Sequence, residues 1–489
     1  MDKTIETDVP RVDVDPVNRK ETRSLYKKRV KIHPMRVTGR FRRLKWGAMA
    51  ITLAIYYLTP WIRWDRGAGA PDQAVLIDFP GRRFYFFFIE IWPQEVYYIT
   101  GLLIMAALGL FLVTTVAGRA WCGYSCPQTV WTDLFIAVER LIEGDRNERR
   151  RLDAAPWFSE KIAKRAIKFA IWLIIGLCTG GAWIFYFADA PTLMGQLLTF
   201  SAPPIAVASV GTLTATTFVL GGFAREQVCI YMCPWPRIQA AMMDEDSLIV
   251  DYRDYRGEPR APHRKGDGWE GRGDCVDCNR CVSVCPAGID IRDGQQLECI
   301  SCALCIDACN EVMTRVGRPQ GLIAYDTLVN RNRVMAGLEP EIRLIRPRTV
   351  VYGTLWVAVG LLMLWVLLHR PDVEVNVLHD RNPLFVALSD GSIRNGYTVK
   401  VLNKAAHSRE FTITVDGLSQ ARVAVVGESA DGTEVPILIV ERDRIRSFRV
   451  LVAARPDGPV GESTPIVLTL WEGGRMVSEY EGVFRGPAR

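Results

Sequence analysis

Thirteen cysteines stand in this 489-residue chain, and eight of them fall between Cys275 and Cys309. They read Cys275-x2-Cys278-x2-Cys281-x3-Cys285-Pro286, then Cys299-x2-Cys302-x2-Cys305-x3-Cys309-Asn310. Thiolates at this spacing hold iron–sulfur clusters, and the fourth cysteine of each run serves the other cluster. The reading gives one [4Fe–4S] cluster to Cys275, Cys278, Cys281 and Cys309. It gives a second to Cys299, Cys302, Cys305 and Cys285. Each cluster thereby ties the two halves of the segment together. A zinc module pairs Cys-x2-Cys with a distant second pair, and a disulfide set needs an oxidising compartment. The doubled triplets favour neither. Asn310 stands where the first run has Pro286, but that proline shapes a turn and is not a ligand.

A second pair of motifs is softer in meaning. Cys122-x3-Cys126-Pro127 and Cys229-x3-Cys233-Pro234 both carry a central tyrosine, Tyr124 and Tyr231. Each follows an apolar span and precedes an amphipathic stretch, Val130–Leu141 and Ile238–Met243. The pattern reads as two related helical hairpins, each ending in a thiol pair. Proline favours the first helical position, which makes Cys126 and Cys233 expected N-cap residues with depressed thiol pKa values. Such thiols can act as nucleophiles, redox groups or metal ligands. With Met232, Met242 and Met243 nearby, the ligand set is soft and selects Cu(I). The bland alternative is a buried structural thiol pair, which two equivalent pairs make less attractive than one. The methionines alone read more simply as gap-fillers. Lone Cys178 reads as core packing, and Asp244, Glu245 and Asp246 as the solvated end of a helix.

These groups need elements to hold them. Hydrophobic residues make up 49% of the chain although 23% are charged, which points to apolar spans diluted by soluble segments. Five stretches approach the roughly 20 residues that cross a bilayer: 45–62, 96–117, 167–188, 203–223 and 349–368. The first is the weakest, with Trp46, Tyr56, Tyr57 and Trp61 as belts. Residues 1–20 are polar and expected to be disordered, and no cleavable signal peptide is legible. Residues 21–45 are basic (Arg23, Lys27, Lys28, Arg29, Lys31, Arg36, Arg40, Arg42, Arg43, Lys45) and read as a juxtamembrane flank rather than a nucleic-acid surface. Loop 118–166 is basic and loop 189–202 carries no Lys or Arg. The positive-inside rule then places the N-terminus, 118–166 and 224–348 in the cytoplasm. That puts the eight-cysteine run on the reducing side and the cysteine-free tail after Cys309 in the periplasm. The run Phe84–Ile89, with Ile91 and Trp92, is too short to span and is expected to be interfacial or re-entrant.

The tail, 371–489, reads as nine short strands: 373–377, 384–388, 397–402, 410–415, 422–426, 435–440, 447–452, 465–470 and 477–484. Turn signals stand at Asp390-Gly391, Asn395-Gly396, Asp431-Gly432, Asp457-Gly458 and Gly473-Gly474. This spacing predicts an immunoglobulin-like sandwich without the Cys…Trp…Cys hallmark. The expected architecture is a multi-domain membrane protein: a five-helix transmembrane bundle, an inserted two-[4Fe–4S] ferredoxin-like module and a C-terminal all-β sandwich. Its segments are a basic N-terminal stretch (1–44), a four-helix region with both Cys-x3-Cys-Pro motifs (45–248), the ferredoxin-like module (249–340), a fifth helix (341–370) and the Ig-like domain (371–489). None of the five histidines lies mid-span, which argues against a bis-His membrane haem. There is no Gly-x-Gly-x-x-Gly after a strand and no Walker loop, so nucleotide binding is not indicated. Electrons must come from a separate donor.

The combination resembles the CcoG family, also called FixG or RdxA, the cytochrome c oxidase accessory proteins. The stretches that carry the likeness are Ala120-Trp121-Cys122-Gly123-Tyr124-Ser125-Cys126-Pro127-Gln128-Thr129-Val130-Trp131, Gln227-Val228-Cys229-Ile230-Tyr231-Met232-Cys233-Pro234-Trp235-Pro236-Arg237 and Ile393-Arg394-Asn395-Gly396-Tyr397. The resemblance implies a bacterial inner-membrane protein acting in assembly of cbb3-type oxidase, with reduction of Cu(II) to Cu(I) as its activity. It implies a copper-transporting P-type ATPase and oxidase-assembly proteins as partners, and a homodimer is among the expected arrangements. On that analogy Cys122, Cys126, Cys229 and Cys233 contact copper or hand over electrons. Two rivals remain: a quinol-linked subunit like NapH, and a non-catalytic assembly factor with structural clusters.

Overall fold

The computed structural model describes residues 9–18, 30–67, 70–264, 266–405, 407–427, 436–442, 444–455 and 462–487. Arg23, Lys27, Lys28, Arg29 and the turn signals at 431–432 and 457–458 lie outside them. The chain divides into two compact units, Met1–Met363 and Leu364–Arg489.

In the first unit, α1 (Arg40–Leu58) leads to a small antiparallel meander, β1 (Val75–Asp78), β2 (Arg83–Phe86) and β3 (Ile89–Ile91). The aromatic run is therefore a hairpin, not a re-entrant segment. Aromatic residues suit a pleated strand, and a turn at Gly81-Arg82 folds it back, with Ile77 opposite Phe84. Next come α2 (Tyr97–Ala117), α3 (Ala120–Tyr124), α4 (Pro127–Glu143), α5 (Arg146–Ala154), α6 (Ser159–Ile184), α7 (Ala190–Leu198) and α8 (Pro204–Thr217). α8 continues as π-helical turns over Phe218–Ala224 and Val228–Met232, followed by α9 (Trp235–Met242). The ferredoxin-like part holds β4 (Ile249–Tyr252), α10 (Asp254–Gly257), α11 (Arg280–Val284), α12 (Leu304–Arg315), β5 (Ile323–Asp326) and α13 (Leu328–Met335). β4 and β5 pair antiparallel, Ile249 opposite Asp326. α14 (Pro347–Leu368) closes the series.

Among the described residues four helices are long and apolar enough to cross a membrane: Pro93–Ala117, Ser159–Ile184, Pro204–Ala224 and Pro347–Leu368. α1 is helical but carries Arg40, Arg42, Arg43 and Lys45. Small residues let these helices approach, as in lipid they must, where no hydrophobic force drives helix against helix. A Cβ on Gly180 of α6 would stand 2.8 Å from the Val210 carbonyl of α8, and one on Gly176 would stand 3.1 Å from that of Thr214. On α2, Gly109 leaves room for Trp356 of α14, whose indole N–H donates to the Met105 carbonyl at 3.1 Å.

Two corrections concern single segments. Residues 9–18 are not loose: Val12 N–H donates to the Cys278 carbonyl at 2.9 Å and Val17 N–H to that of Gly288 at 2.8 Å. A polar strap with too little apolar surface to fold alone is ordered by the module it covers. Cys178 is exposed on α6 rather than packed in a core, because its face of the helix is the one left for lipid.

The second unit is a sandwich of two antiparallel sheets. One has the order β10-β12-β8-β6, with β7 on β8; the other is β11-β9-β13-β14. Its strands are β6 (Val373–His379), β7 (Val386–Ala387), β8 (Ile393–Asn403), β9 (Arg409–Asp416), β10 (Arg422–Val425), β11 (Ile437–Val440), β12 (Arg444–Ala454), β13 (Ser463–Glu472) and β14 (Arg475–Arg485). Period-2 alternation points Val399, Val401, Phe448 and Val450 at Phe411, Ile413, Leu438 and Leu468 in one core. Gly473 and Gly474, both with positive φ, make the β13–β14 hairpin turn. Asn395-Gly396 is no turn; it lies inside β8. The buried Asn395 side chain donates to the Arg485 carbonyl (2.9 Å) and accepts from its N–H (2.8 Å), while the Tyr397 hydroxyl donates to the Val483 carbonyl (2.9 Å). Together they latch one sheet to the other.

Candidate redox site

The two halves of the cysteine run are superimposable in pattern. Asp277 and Asn279, flanking Cys278, have φ of 49° and 56°; Ser301 and Ala303, flanking Cys302, have 53° and 59°. Left-handed residues on both sides of the middle cysteine curl each loop so that three thiols face inward. Non-glycine residues rarely hold this conformation, and they do so where function fixes the backbone. Arg292 braces the first loop, donating to Asp277 (2.7 Å), Asn279 (2.8 Å) and Asp290 (2.6 Å). None of the thirteen cysteines is disulfide-bonded.

These residues fit [4Fe–4S] clusters. Burial pushes the Cys281 and Cys305 thiols well above their ordinary value and Cys285 up to about 12, a cost that bound iron would offset by holding them as thiolates. Backbone N–H groups of Ile289 and Ala287 face Cys285, and that of Ser301 faces Cys299. Such donors tune cluster potentials. Among the described residues, no three Cys, His, Asp or Glu side chains are gathered as a single metal ion would need. A four-iron cube spreads its ligands over four separate irons, so wide spacing is what it requires.

The two Cys-x3-Cys-Pro motifs are built alike, at a constant offset of 107 residues. α2 ends at Gly118 with φ 56° and ψ −120°; the π-turn after α8 ends at Arg225 with φ 45° and ψ −115°. Four residues on stand Cys122 and Cys229, then Cys126 and Cys233, then proline and a helix. Gly118 also needs its missing side chain, since a Cβ there would lie 2.5 Å from the Leu248 carbonyl. Arg225 holds the same strained turn with a side chain, fixed by Glu139 at 2.7 Å and by the Gly222 carbonyl at 2.7 Å. Cys126 is the N-cap of α4 as expected, but Cys233 is not the N-cap of α9; Pro234 takes that place and the thiol sits one residue outside the helix.

The four thiols of the two motifs lie near enough to feel one another's charge, although they are not gathered as tightly as a single metal ion would need. Cys122 is perturbed by Cys126, Cys229 and Cys233, and Cys229 by Cys126 and Cys233. The expected pKa depression is overturned for Cys126. Burial pushes Cys122 and Cys229 up to about 12, and Cys126 up as well, with the N–H groups of Thr129 and Gln128 at the start of α4 pulling the other way. The desolvation cost of a buried thiolate outweighs the helix dipole here. Cys122 Sγ donates to Gln239 Oε1 of α9 at 3.0 Å, which ties the first motif to the helix after the second. The methionines differ in setting: Met232 is exposed, Met242 is half-buried, and Met243 lines a cavity with Arg119 and Cys299.

The first motif lies directly on the second cysteine loop. A Cβ on Gly123 would stand 2.7 Å from the Ile300 carbonyl and 3.0 Å from that of Ser301. The Tyr124 hydroxyl reaches the Cys302 carbonyl and the Tyr325 hydroxyl, both at 3.4 Å, and Tyr325 donates to the Ser301 carbonyl. Arg119 is buried, and it donates only to backbone carbonyls: Leu297, Cys299 (3.1 Å) and Pro236 (2.9 Å). A small cavity of about 40 Å³ separates Cys229 from Pro286 and Ala287, just past Cys285. Sequence reasoning missed Arg119, Gly123 and Gln239. Their one signal was the asymmetry of the motifs, Gly123 in the first and Ile230 in the second.

A buried charge network steadies this end of the unit. On α4, Asp133 pairs with Arg42 (2.9 Å) and Lys45 (3.8 Å), Glu139 with Arg149 (3.2 Å) and Arg225, and Glu143 with Lys168 (2.9 Å) and Arg165 (3.1 Å). Burial raises the Glu139 carboxyl, but Arg225, Lys31 and Lys168 outweigh it and hold it at about 2. Arg42 and Lys45 are therefore not a solvated flank. Asp244 is not a solvated helix end either; it is ion-paired with Arg346 and Arg348.

Fold and site together define a membrane protein of the ferredoxin type, an iron–sulfur electron carrier. Family models match in three places: a "4Fe-4S dicluster domain" over 224–328, a "4Fe-4S binding domain" over 99–143, and an "IG-like fold at C-terminal of FixG" over 363–487. "Nitrogen fixation protein FixG" of Rhizobium meliloti is 57% identical over 93% of this chain and 92% of its own. "Protein RdxA" and "Protein RdxB" of Cereibacter sphaeroides are 55% and 54% identical, covering 84% and 92% of this chain and 87% and 94% of theirs. The crystal structure of a FixG-related protein from Vibrio parahaemolyticus is similar over 23% of this chain and 95% of its own, at 26% identity and a TM-score of 0.19. The chain belongs to the FixG/RdxA family.

Proposed function

We propose that this protein reduces Cu(II) to Cu(I) at the cytoplasmic face of a bacterial inner membrane, for delivery to a cbb3-type oxidase under assembly. Cys275, Cys278, Cys281 and Cys309 hold one [4Fe–4S] cluster and Cys299, Cys302, Cys305 and Cys285 the other. When bound, these clusters supply single electrons. A separate reduced carrier replenishes them. Cys122, Cys126, Cys229 and Cys233 bind the copper, and each Cu(II) gains one electron. Soft sulfur ligands favour the Cu(I) product. Arg119, Gly123 and Tyr124 hold the copper thiols against the Cys299–Cys302 loop, and burial keeps water away. A copper-transporting P-type ATPase takes the Cu(I). α1 serves as a fifth crossing, which sets the sandwich on the opposite side from the clusters. The observation that carries this reading is the docking of the Cys122 motif on the second cysteine loop.

The test is Cu(I) formation by the anaerobically purified protein, read with a Cu(I)-specific chelator. Changing all four of these cysteines to Ser should leave iron and sulfide unchanged and abolish copper reduction. Parent-like rates in that variant would remove copper from the site. A second reading has one observation in its favour. The 99–143 match is to a 4Fe-4S-binding domain, yet that stretch holds only two cysteines, Cys122 and Cys126. Cys229 and Cys233 would complete a four-thiol set for a third cluster. About twelve irons per chain instead of about eight would decide for it.

A further inference from the structure

The start of α1 and the end of α4 enclose a cavity of about 900 Å³ lined by Arg36, Arg42, Arg43, Arg140, Trp46 and Leu141. Four arginines line it. Arg42 is 6% exposed and lies over the Trp46 ring at 4.7 Å. Its Nη1 is engaged by Asp133, but its Nη2 is buried without a partner. Asp133 is shared with Lys45, and Asp145 stands 4.0 Å from Arg140 Nε. Among the described residues the guanidinium groups of Arg36 and Arg43 have no carboxylate partner, so cations outnumber counter-charges around the cavity. Burial, with Arg42 and Arg149 beside it, pushes Arg140 down to about 10, as crowded cations do. A buried donor left unpaired, as Arg42 Nη2 is, is costly, and an anion in the cavity would satisfy it. Planar guanidinium forks match phosphate oxygens.

The rim identifies the source of the phosphate. Leu141 is 83% exposed at the cavity edge, and Leu44, Ile51, Ile55 and Leu58 are exposed along α1 beyond it. A free anion would leave that apolar stripe uncovered; an acyl chain covers it. We propose that the cavity holds the phosphate of an anionic glycerophospholipid whose acyl chains lie along α1. The lipid would brace the ferredoxin-like part at the bilayer surface. The first N–H groups of α1, on Phe41 and Arg42, donate to Asp307 at 3.2 and 2.7 Å, and Asp307 lies between Cys305 and Cys309 on α12. Each cation at the bilayer surface adds to the attraction of anionic lipid, so removing two should weaken it by about tenfold.

The full chain in neutral detergent is titrated with phosphatidylglycerol, phosphatidylcholine or inorganic phosphate and read by native mass spectrometry. One phosphatidylglycerol should bind about tenfold more tightly than phosphatidylcholine, and millimolar inorganic phosphate should not displace it. The Arg36→Gln/Arg43→Gln variant should lose that preference with iron content unchanged. If the double variant loses iron, Arg43→Gln alone, at an exposed position, must still weaken phosphatidylglycerol several-fold. Equal binding of the two lipids, parent-like phosphatidylglycerol binding by both variants, or displacement by inorganic phosphate would each overturn the lipid site.

Discussion

Arg119 occupies a place no surface argument explains. It is buried with carbonyl partners only, one of them belonging to Cys299, and its Nε is unpaired. A buried cation stabilises added negative charge nearby, so it should raise the potential of the cluster held by the second cysteine run. Arg119→Gln should lower that potential by about 60 mV, the one-electron equivalent of a tenfold shift. An EPR-monitored redox titration checks this, and Arg119→Lys should recover part of the shift because it keeps the charge but not the fork. An unchanged potential in Arg119→Gln would reduce the residue to a structural clamp. Gly123→Ala acts differently. Its Cβ would press on the Ile300 and Ser301 carbonyls, so copper reduction should slow several-fold with iron content retained. The eight cysteines of the doubled motif were legible as candidate ligands because cluster chemistry fixes sequence spacing. Arg119 was not, because nothing in its own neighbourhood reveals that its partners lie more than 100 residues away.

At the scale of elements, α4 carries the weight of the site. Its Glu139 joins Arg149 of α5 and the strained Arg225 turn that aims Cys229. Glu139→Gln leaves those guanidinium groups buried without charge compensation and should destabilise by about 3 kcal/mol, read by thermal unfolding in detergent. The pH dependence has a fixed sign. The carboxyl is held at about 2, against about 4.3 for an ordinary glutamate. Its contribution is complete above the ordinary value and is lost as pH falls from there toward 2. The parent should therefore lose thermal stability over that acid window more steeply than Glu139→Gln. The α6–α8 contact gives a second prediction. Gly180→Val drives a branched side chain onto the Val210 carbonyl, and the yield of folded, iron-loaded protein should fall at least tenfold. The four long apolar helices were legible from hydropathy alone. The π-turns after α8 were not, since no local residue preference marks them.

For the whole molecule, the sandwich stands as a unit of its own, closed by residues that looked like a turn. Asn395→Ala would strand the Arg485 N–H and carbonyl and should cost about 2 kcal/mol, visible as a lower unfolding temperature of the second transition. The crossing count is a prediction at the same scale. If α1 crosses, protease added to right-side-out spheroplasts should cut the 371–489 tail and leave the 145–158 loop intact. Cleavage of that loop from outside would reverse the orientation proposed here.

Spacing by itself determined the eight thiols of the ferredoxin pattern, the paired Cys-x3-Cys-Pro motifs and the nine strands of the tail. Each depends on residues near one another in sequence: ligand loops, proline-started helices, period-2 alternation. Only the tertiary structure decided that the first motif docks on the second cysteine loop, and that Arg42 and Lys45 are buried against Asp133. Those outcomes depend on burial and on partners far along the chain. Desolvation reversed the expected acidity of Cys126 for the same reason: a helix N-terminus is written in local sequence, whereas the dielectric around Cys126 is set by everything packed against it.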